Sequence, residues 1–414
     1  MRVIFDLMAL GAGYAKANGR TGIYRVVENL AEKLIGSPEC EPDFIATLFH
    51  NEASSFLKDT VPFKDFKLQY PTQKDIFLNR LHDKIHRTEN NQSGWLKTAL
   101  NHIRDLGLPA TSLSQLAKKA SVYHSPYMPI PKEISKNQRI KKFLTVHDLI
   151  AINFPQFFEN NNDPLVKYSI NSLGKDGWAF CVSQSTKDDL CNYTSIDPNR
   201  VFITHLAAAK EFFYPCSDEI LLQAVRKRYS LGEEKYLLSL CTLEPRKNIA
   251  HTIRCFIRLI KEQGLKDVNL VLSGTKGWDF DHIFDELKSP EIRKRVISTG
   301  FVDDVDMAAL YTGAIGFVYP SLYEGFGLPP LEALQCGTPV ITSNVSSLPE
   351  VVGDAGILVS PTDEDALCQA MLSLISDDKM RNDLSKASIL QAANFSWDEC
   401  FKQTLAGYHT AINS

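Results

Sequence analysis

The densest chemistry in the sequence lies in YPSLYEGFGLPPLEALQCGTP, residues 319–339. Glu324 and Glu332 stand eight residues apart, with Gly325, Phe326, Gly327, Leu328, Pro329 and Pro330 between them. The apolar run 315–319 reads as a strand and the two glycines as a turn. The two prolines suit the start of a helix, where a missing N–H is tolerated. Backbone amides at a helix N-terminus suit an anion such as a diphosphate. Glu324 from the loop and Glu332 from the first helical turn can then face one pocket, where carboxylates accept hydrogen bonds from sugar or ribose hydroxyls. A solvated acid and a helix-dipole partner would satisfy the bare spacing equally well. The flanking Gly, Phe and Pro favour the pocket.

A second group is LCTLEPRKN, 240–248, at the end of the apolar run 236–240. Arg246 and Lys247 fall where a helix begins, a place that disfavours cations. A diphosphate between them removes the conflict, since Arg binds phosphate bidentately and Lys as a point charge. With that charge supplied by side chains and amides, no metal or other cofactor is expected. Asp304-Val305-Asp306 spells a DxD, but Asp at a helix start is first a cap and a dipole partner.

These groups must be positioned by strands and helices, and the chain alternates them. Strands are expected at 3–5, 44–49, 122–124, 142–146, 179–183 and 201–205. A glycine-containing loop is expected over 11–22, with helices at 23–34 and 186–193. A second block predicts strands at 236–240, 268–273, 296–299, 315–319 and 340–342. Its helices fall at 249–263, 305–311, 330–335 and 363–376, and Gly264 is a good C-cap. Ser396 can N-cap a last amphipathic helix over 397–412. Strands joined by helical crossovers imply parallel sheets covered on both faces. The expected fold class is α/β, with two Rossmann-like doubly wound domains facing a cleft. The expected domains are residues 1–212, with 396–414 packing back on them, and residues 213–395. Open sheets of this kind bind ligands outside the carboxyl ends of their strands.

With these elements in place, the sequence resembles the retaining nucleotide-sugar glycosyltransferases of the GT-B fold, specifically glycosyltransferase family 4. TLEPRKN and YPSLYEGFGLPPLEALQCGTPV carry the resemblance. GRTGIYRVVENL, FLTVHDL, FCVSQSTKDDL, TGFVDDVDMAALY and FSWDEC support it. It runs through nearly all of the C-terminal half and through islands of the N-terminal half. The resemblance implies that Glu324 contacts the donor sugar and Glu332 the ribose hydroxyls. It implies that Phe326, Gly327 and Leu328 offer backbone amides to sugar or phosphate, and that Arg246 and Lys247 hold the diphosphate. Thr242 belongs to the same donor loop, and Gly22 to an N-terminal loop that approaches phosphate and acceptor. His147 lies near the transferred sugar, with Asp148 beside it, and Ser183 ends a strand near the cleft. Cys241 replaces the glycine found in many relatives, which keeps the position small. The N-terminal domain would bind the acceptor and the C-terminal domain the donor.

The implied reaction moves a hexose from a nucleotide diphosphate to a hydroxyl acceptor with retention. GDP-mannose is the lead donor, with UDP- and dTDP-sugars as alternatives. A nucleotide-sugar epimerase and a non-catalytic nucleotide-binding protein are the readings from other classes. A dinucleotide oxidoreductase is disfavoured, because no G-x-G-x-x-G follows the first strand.

Composition narrows the setting. The chain has 414 residues, 44% hydrophobic and 23% charged, with net charge −4, which excludes a wholly disordered or collagen-like chain and gives no bulk attraction to nucleic acid. Nine cysteines occur without a CxxC pair, so reduced thiols in a cytoplasmic protein are expected rather than a disulfide framework or zinc site. Within residues 61–142 there are 15 Lys and Arg against 6 Asp and Glu. The stretch 74–106 is basic, amphipathic and carries Trp95. It is read as a surface helical pair, with peripheral contact to the inner membrane face, and hence a lipid-linked saccharide acceptor, as the functional alternative.

Overall fold

Short apolar runs that end at polar loops set the strands, and a computed structural model describes residues 1–15, 22–71, 112–158, 164–277, 287 and 289–414. Strands β1 Arg2–Asp6, β2 Glu41–Ile45, β3 Val122–Ser125, β4 Lys141–Val146, β5 Trp178–Cys181 and β6 Val201–Ile203 form one sheet. Strands β7 Lys235–Leu240, β8 Val268–Ser273, β9 Val296–Gly300, β10 Gly316–Tyr319, β11 Val340–Ser343 and β12 Gly356–Val359 form another. Every pairing in both sheets is parallel. The orders are β2-β1-β3-β4-β5-β6 and β12-β11-β10-β7-β8-β9. The architecture is the expected GT-B arrangement of two doubly wound sheets. The strand order reverses between β7 and β10, the place where such a sheet opens a ligand crevice at its carboxyl end.

Helices cover the sheets through apolar stripes. In Gly22–Gly36 the residues Tyr24, Val26, Val27, Leu30, Ala31 and Leu34 are buried, at helical spacing. Ile249–Gln263 buries Ile249, Ile253, Phe256 and Leu259 and stops at Gly264, whose φ of 60° suits glycine.

The last helix, Trp397–Asn413, begins where Ser396 Oγ accepts the Glu399 N–H at 3.1 Å. It crosses back to the first sheet. Gly407 lies so close to Phe180 that a Cβ would come within 2.6 Å of the ring. Tyr408 is buried and bonds His124 Nδ1 at 2.6 Å, while His124 Nε2 meets Thr145 Oγ1 at 2.7 Å. Burial pushes His124 down to about 3, so the ring is neutral.

Some expectations were displaced. The first part of the expected loop 11–22 is a short helix, Met8–Tyr14, because Asp6 accepts the Met8 N–H at 2.9 Å. β2 lies earlier than 44–49, in register with β1, and Phe49 at φ 50° starts the helix His50–Asp59 instead. The helix Asp378–Ala392 and the strand β12 were not expected at all. The basic stretch 74–106 lies outside the described residues. Among the described residues, no helix is long and apolar enough to cross a membrane. The nine cysteines are free, and all but Cys191 are buried.

Candidate active site

The loops after β7 and β10 meet at the reversal point, and the side chains they carry converge. Oε1 of Glu324 accepts three hydrogen bonds: from Lys247 Nζ at 2.6 Å, Ser321 Oγ at 2.6 Å and the Tyr319 hydroxyl at 2.8 Å. Its Oε2 lies 2.9 Å from Arg246 Nη1. Burial alone would push this carboxyl up, but Arg246 and Lys247 outweigh it and hold Glu324 at about 2. Glu324 is therefore an anion at any working pH.

Arg246 is fixed from two sides, by Glu244 Oε1 at 2.7 Å and by the Tyr323 carbonyl at 2.7 Å. Burial works against its charge, yet Glu324 and Glu244 raise its pKa further. Asn248, at φ 59°, turns the chain from the Pro245–Lys247 turn into the next helix and donates to the Pro320 and Pro361 carbonyls. The backbone of the Glu324 loop is held by serines. Ser346 Oγ accepts the Glu324 N–H at 3.1 Å, and Ser347 Oγ donates to the Phe326 carbonyl at 2.6 Å.

The helix after this loop is Leu328–Gln335, preceded by Gly327 at φ 114°, a conformation that strains other residues. Pro329 and Pro330 occupy its first turn and bring no N–H. The amides that remain free to meet an anion at this helix N-terminus are therefore those of the Gly325–Leu328 turn. Glu332 accepts from the Tyr311 hydroxyl at 3.0 Å. Burial raises its pKa, opposed by Arg25 and Tyr311.

A cavity of about 930 Å³ spans the space between the sheets' carboxyl ends. It is lined by Gly22, His147, Asp148, Thr242, Arg246, Lys247, Glu324, Phe326, Gly327, Leu328 and Glu332. Gly22 sits close to the donor loop: a Cβ there would lie 3.0 Å from Leu328 Cδ1, a tight contact that the leucine side chain would have to yield to. His147 donates from Nε2 to the Pro126 carbonyl at 2.7 Å, which leaves Nδ1 as the lone-pair nitrogen of the neutral ring. Burial lowers its pKa against the opposing effects of Pro126 and Asp148. Asp148 accepts the Ile150 N–H at 3.0 Å. Ser183 lies two residues past β5. It is fully buried behind the cavity wall and turned to Gly325.

The structure adds one residue that the sequence did not single out. Arg25, on Gly22–Gly36, reaches across the cavity to Asp304 at 2.6 Å and to Glu332 at 3.8 Å. Its guanidinium also lies over the rings of Phe212 and Phe213. The only sequence signal was its place three residues after Gly22. The DxD carboxylates are separately engaged: Asp304 pairs with Arg25, and Asp306 is buried against Arg228 at 2.5 Å and Tyr229 at 2.8 Å.

Two facing doubly wound sheets with a cavity between their carboxyl ends define the GT-B fold. Residues 223–391 match the glycosyl transferases group 1 family. The chain is 33% identical to the O-antigen chain mannosyltransferase B of Escherichia coli over 291 residues, covering 70% of this chain and 74% of that protein. It is 30% identical over 285 residues to the serotype-specific mannosyltransferase WbdA of Escherichia coli, covering 66% of this chain but only 34% of that longer protein. Among solved structures, the fold is similar to the sucrose-phosphate synthase from Thermosynechococcus elongatus, with TM-score 0.68 and 18% identity over 99% of this chain and 98% of that one. The chain belongs to the group 1 glycosyltransferases.

Proposed function

We propose that this glycosyltransferase moves mannose from GDP-mannose to a hydroxyl of a growing cell-surface saccharide, with retention at the anomeric carbon. The observation that carries the reading is the convergence of Glu324, Arg246 and Lys247 on one cavity that also holds Glu332. The mannosyl choice is supported by the names of the Escherichia coli relatives.

In this reading Glu332 accepts the ribose hydroxyls, and the Gly325–Leu328 turn offers amides to the diphosphate. The bond from the anomeric carbon to the diphosphate breaks, leaving an oxocarbenium-like sugar and an anion. Arg246 and Lys247 stabilise that anion in a partly dry site, where fixed charges act most strongly. The acceptor hydroxyl forms the new bond on the face the leaving group vacates, and its proton passes to a diphosphate oxygen. Glu324 is held by four donors that lower its nucleophilicity, so in this reading it orients the sugar and does not attack it. The positive charge comes from side chains and amides, so no metal or other cofactor enters this scheme.

The acceptor side is the first sheet, with His147 and Asp148 at its rim. A lipid-linked saccharide presented at the inner membrane face is the acceptor we favour, with residues 74–106 as the basic contact. That contact predicts binding to anionic vesicles that weakens with salt; equal binding to neutral vesicles contradicts it. The reaction is tested by incubating the protein with GDP-mannose, UDP-glucose and dTDP-rhamnose and a mannoside acceptor, and reading the product's anomeric configuration by NMR. An α-mannoside formed from GDP-mannose supports the reading. A β-mannoside rejects retention, and transfer only from another donor rejects mannose.

A further inference from the structure

Glu324 sits between two residues that are both gripped by the opposite sheet's unit. On one side, the Tyr323 hydroxyl donates to Asp189 Oδ2 at 2.5 Å. On the other, the Gly325 carbonyl accepts from Ser183 Oγ at 2.6 Å and from Thr186 Oγ1 at 3.0 Å. Thr186 and Asp189 lie on the helix Gln184–Tyr193, and Ser183 is its N-cap. That helix follows β5 of the first sheet, whereas Glu324 follows β10 of the second.

The approach is close. A Cβ on Gly325 would fall 1.9 Å from the His147 carbonyl oxygen, so only glycine lets the two backbones meet. The same helix terminus has a third tie, the Gln184 N–H to the Glu350 carboxylate at 2.9 Å. Glu350 lies on Leu348–Val352, directly after the Ser346 and Ser347 that hold the Glu324 loop. Arg246 and Lys247, in contrast, are carried wholly by the second sheet.

We propose that Ser183, Thr186 and Asp189 are positioning residues: by clamping Gly325 and Tyr323 they set the Glu324 carboxylate for transfer when the two sheets close on each other. This rests on the reading of Glu324 given above. It separates two functions that the cavity combines. A nucleoside diphosphate needs the cations of the second sheet, and turnover also needs the clamp from the first.

The test uses Thr186→Val with Asp189→Ala in the full chain, with Thr186→Ser and Asp189→Asn as conservative partners that keep a hydroxyl or an acceptor oxygen. Turnover is measured with GDP-mannose, and GDP affinity by calorimetry. The double variant is expected to lose about 100-fold in kcat, the scale on which a small misplacement acts. Its GDP Kd should stay within about twofold of wild type, and the conservative variants should restore most of kcat.

Unchanged kcat overturns the proposal, as does a GDP Kd that weakens in step with kcat, or failure of the conservative variants to restore activity. Should the double variant not fold, Tyr323→Phe removes a single hydroxyl and carries the same expectations. Hydrogen exchange at Glu324, whose N–H is held by Ser346 Oγ in the clamped loop, gives a readout independent of donor identity. Faster exchange in the variants supports the clamp even where GDP-mannose proves the wrong donor, and unchanged exchange rejects the clamp whatever the donor.

Discussion

Lys247 Nζ lies 2.6 Å from Oε1 of Glu324, so the cation proposed to hold a leaving diphosphate is shared with the carboxylate proposed to orient the sugar. A diphosphate must compete with Glu324 for that charge. Glu324→Gln removes the competitor while keeping the shape. Turnover should fall by about 100-fold or more, while GDP binds several times more tightly. Calorimetry beside a rate assay checks both; weaker GDP binding in this variant contradicts the sharing.

Arg246→Ala and Lys247→Ala act on the other half of the same pair. Each leaves Glu324 buried with less opposing charge, and each removes a diphosphate contact. Both are expected to weaken GDP binding by about tenfold or more, since a charge-assisted hydrogen bond is worth about 1.5–3 kcal/mol. Arg246→Lys should not restore activity, because Lys cannot serve the Tyr323 carbonyl, Glu244 and Glu324 together. Full activity in that variant counts against the role given to the guanidinium.

Much of this site was legible in the sequence, for a physical reason. The glycines, prolines and charged residues of each donor loop are consecutive in the chain, so each loop is shaped locally, and the pairing of β7 with β10 brings the two together. Ser183 shows the limit. Its partner, the Gly325 carbonyl, lies on a loop of the other sheet, so only the tertiary fold shows whether it faces a ligand or the protein. Arg25 was missed for the same reason, since Asp304 and Glu332 are distant in the chain. The helix Met8–Tyr14 was missed because Gly11 and Gly13 read as loop residues. In the fold Gly11 packs against Phe49, where a Cβ would meet the carbonyl oxygen at 2.5 Å. β12 opens with a glycine and is only four residues long, too short for alternation to declare it.

Arg25→Ala should reveal the cross-cavity tie. Glu332 would keep Tyr311 but lose its nearest cation, and burial would raise its pKa further. The Arg25 and Asp304 side chains are 18% and 25% exposed, so the stability cost should be modest, about 1 kcal/mol. Donor KM should change more than the melting temperature does. An unchanged KM for GDP-mannose contradicts the placement of Arg25 at the nucleotide end.

Asp6 supplies a pH test of the fold, away from the cavity. It is buried, and burial raises it to about 6 despite hydrogen bonds from Thr47 and the Met8 N–H. A carboxyl raised in the folded state contributes most at low pH, and that contribution is lost as pH rises from about 4 to about 6. Relative to Asp6→Asn, the wild type should therefore lose stability over that window, by about 3 kcal/mol at most. Urea melts of both proteins at several pH values read the difference directly; a difference constant with pH rejects it.

The most direct measurement is a titration of GDP, UDP, dTDP and ADP into the wild type and into Lys247→Ala, followed by thermal shift and calorimetry. A ligand that binds only the folded protein raises its melting temperature by mass action. The account predicts a clear shift with GDP that is largely lost in Lys247→Ala. A shift that survives the loss of Lys247, or no shift with any of the four nucleotides, would contradict the assignment of this cavity to a nucleotide-sugar donor.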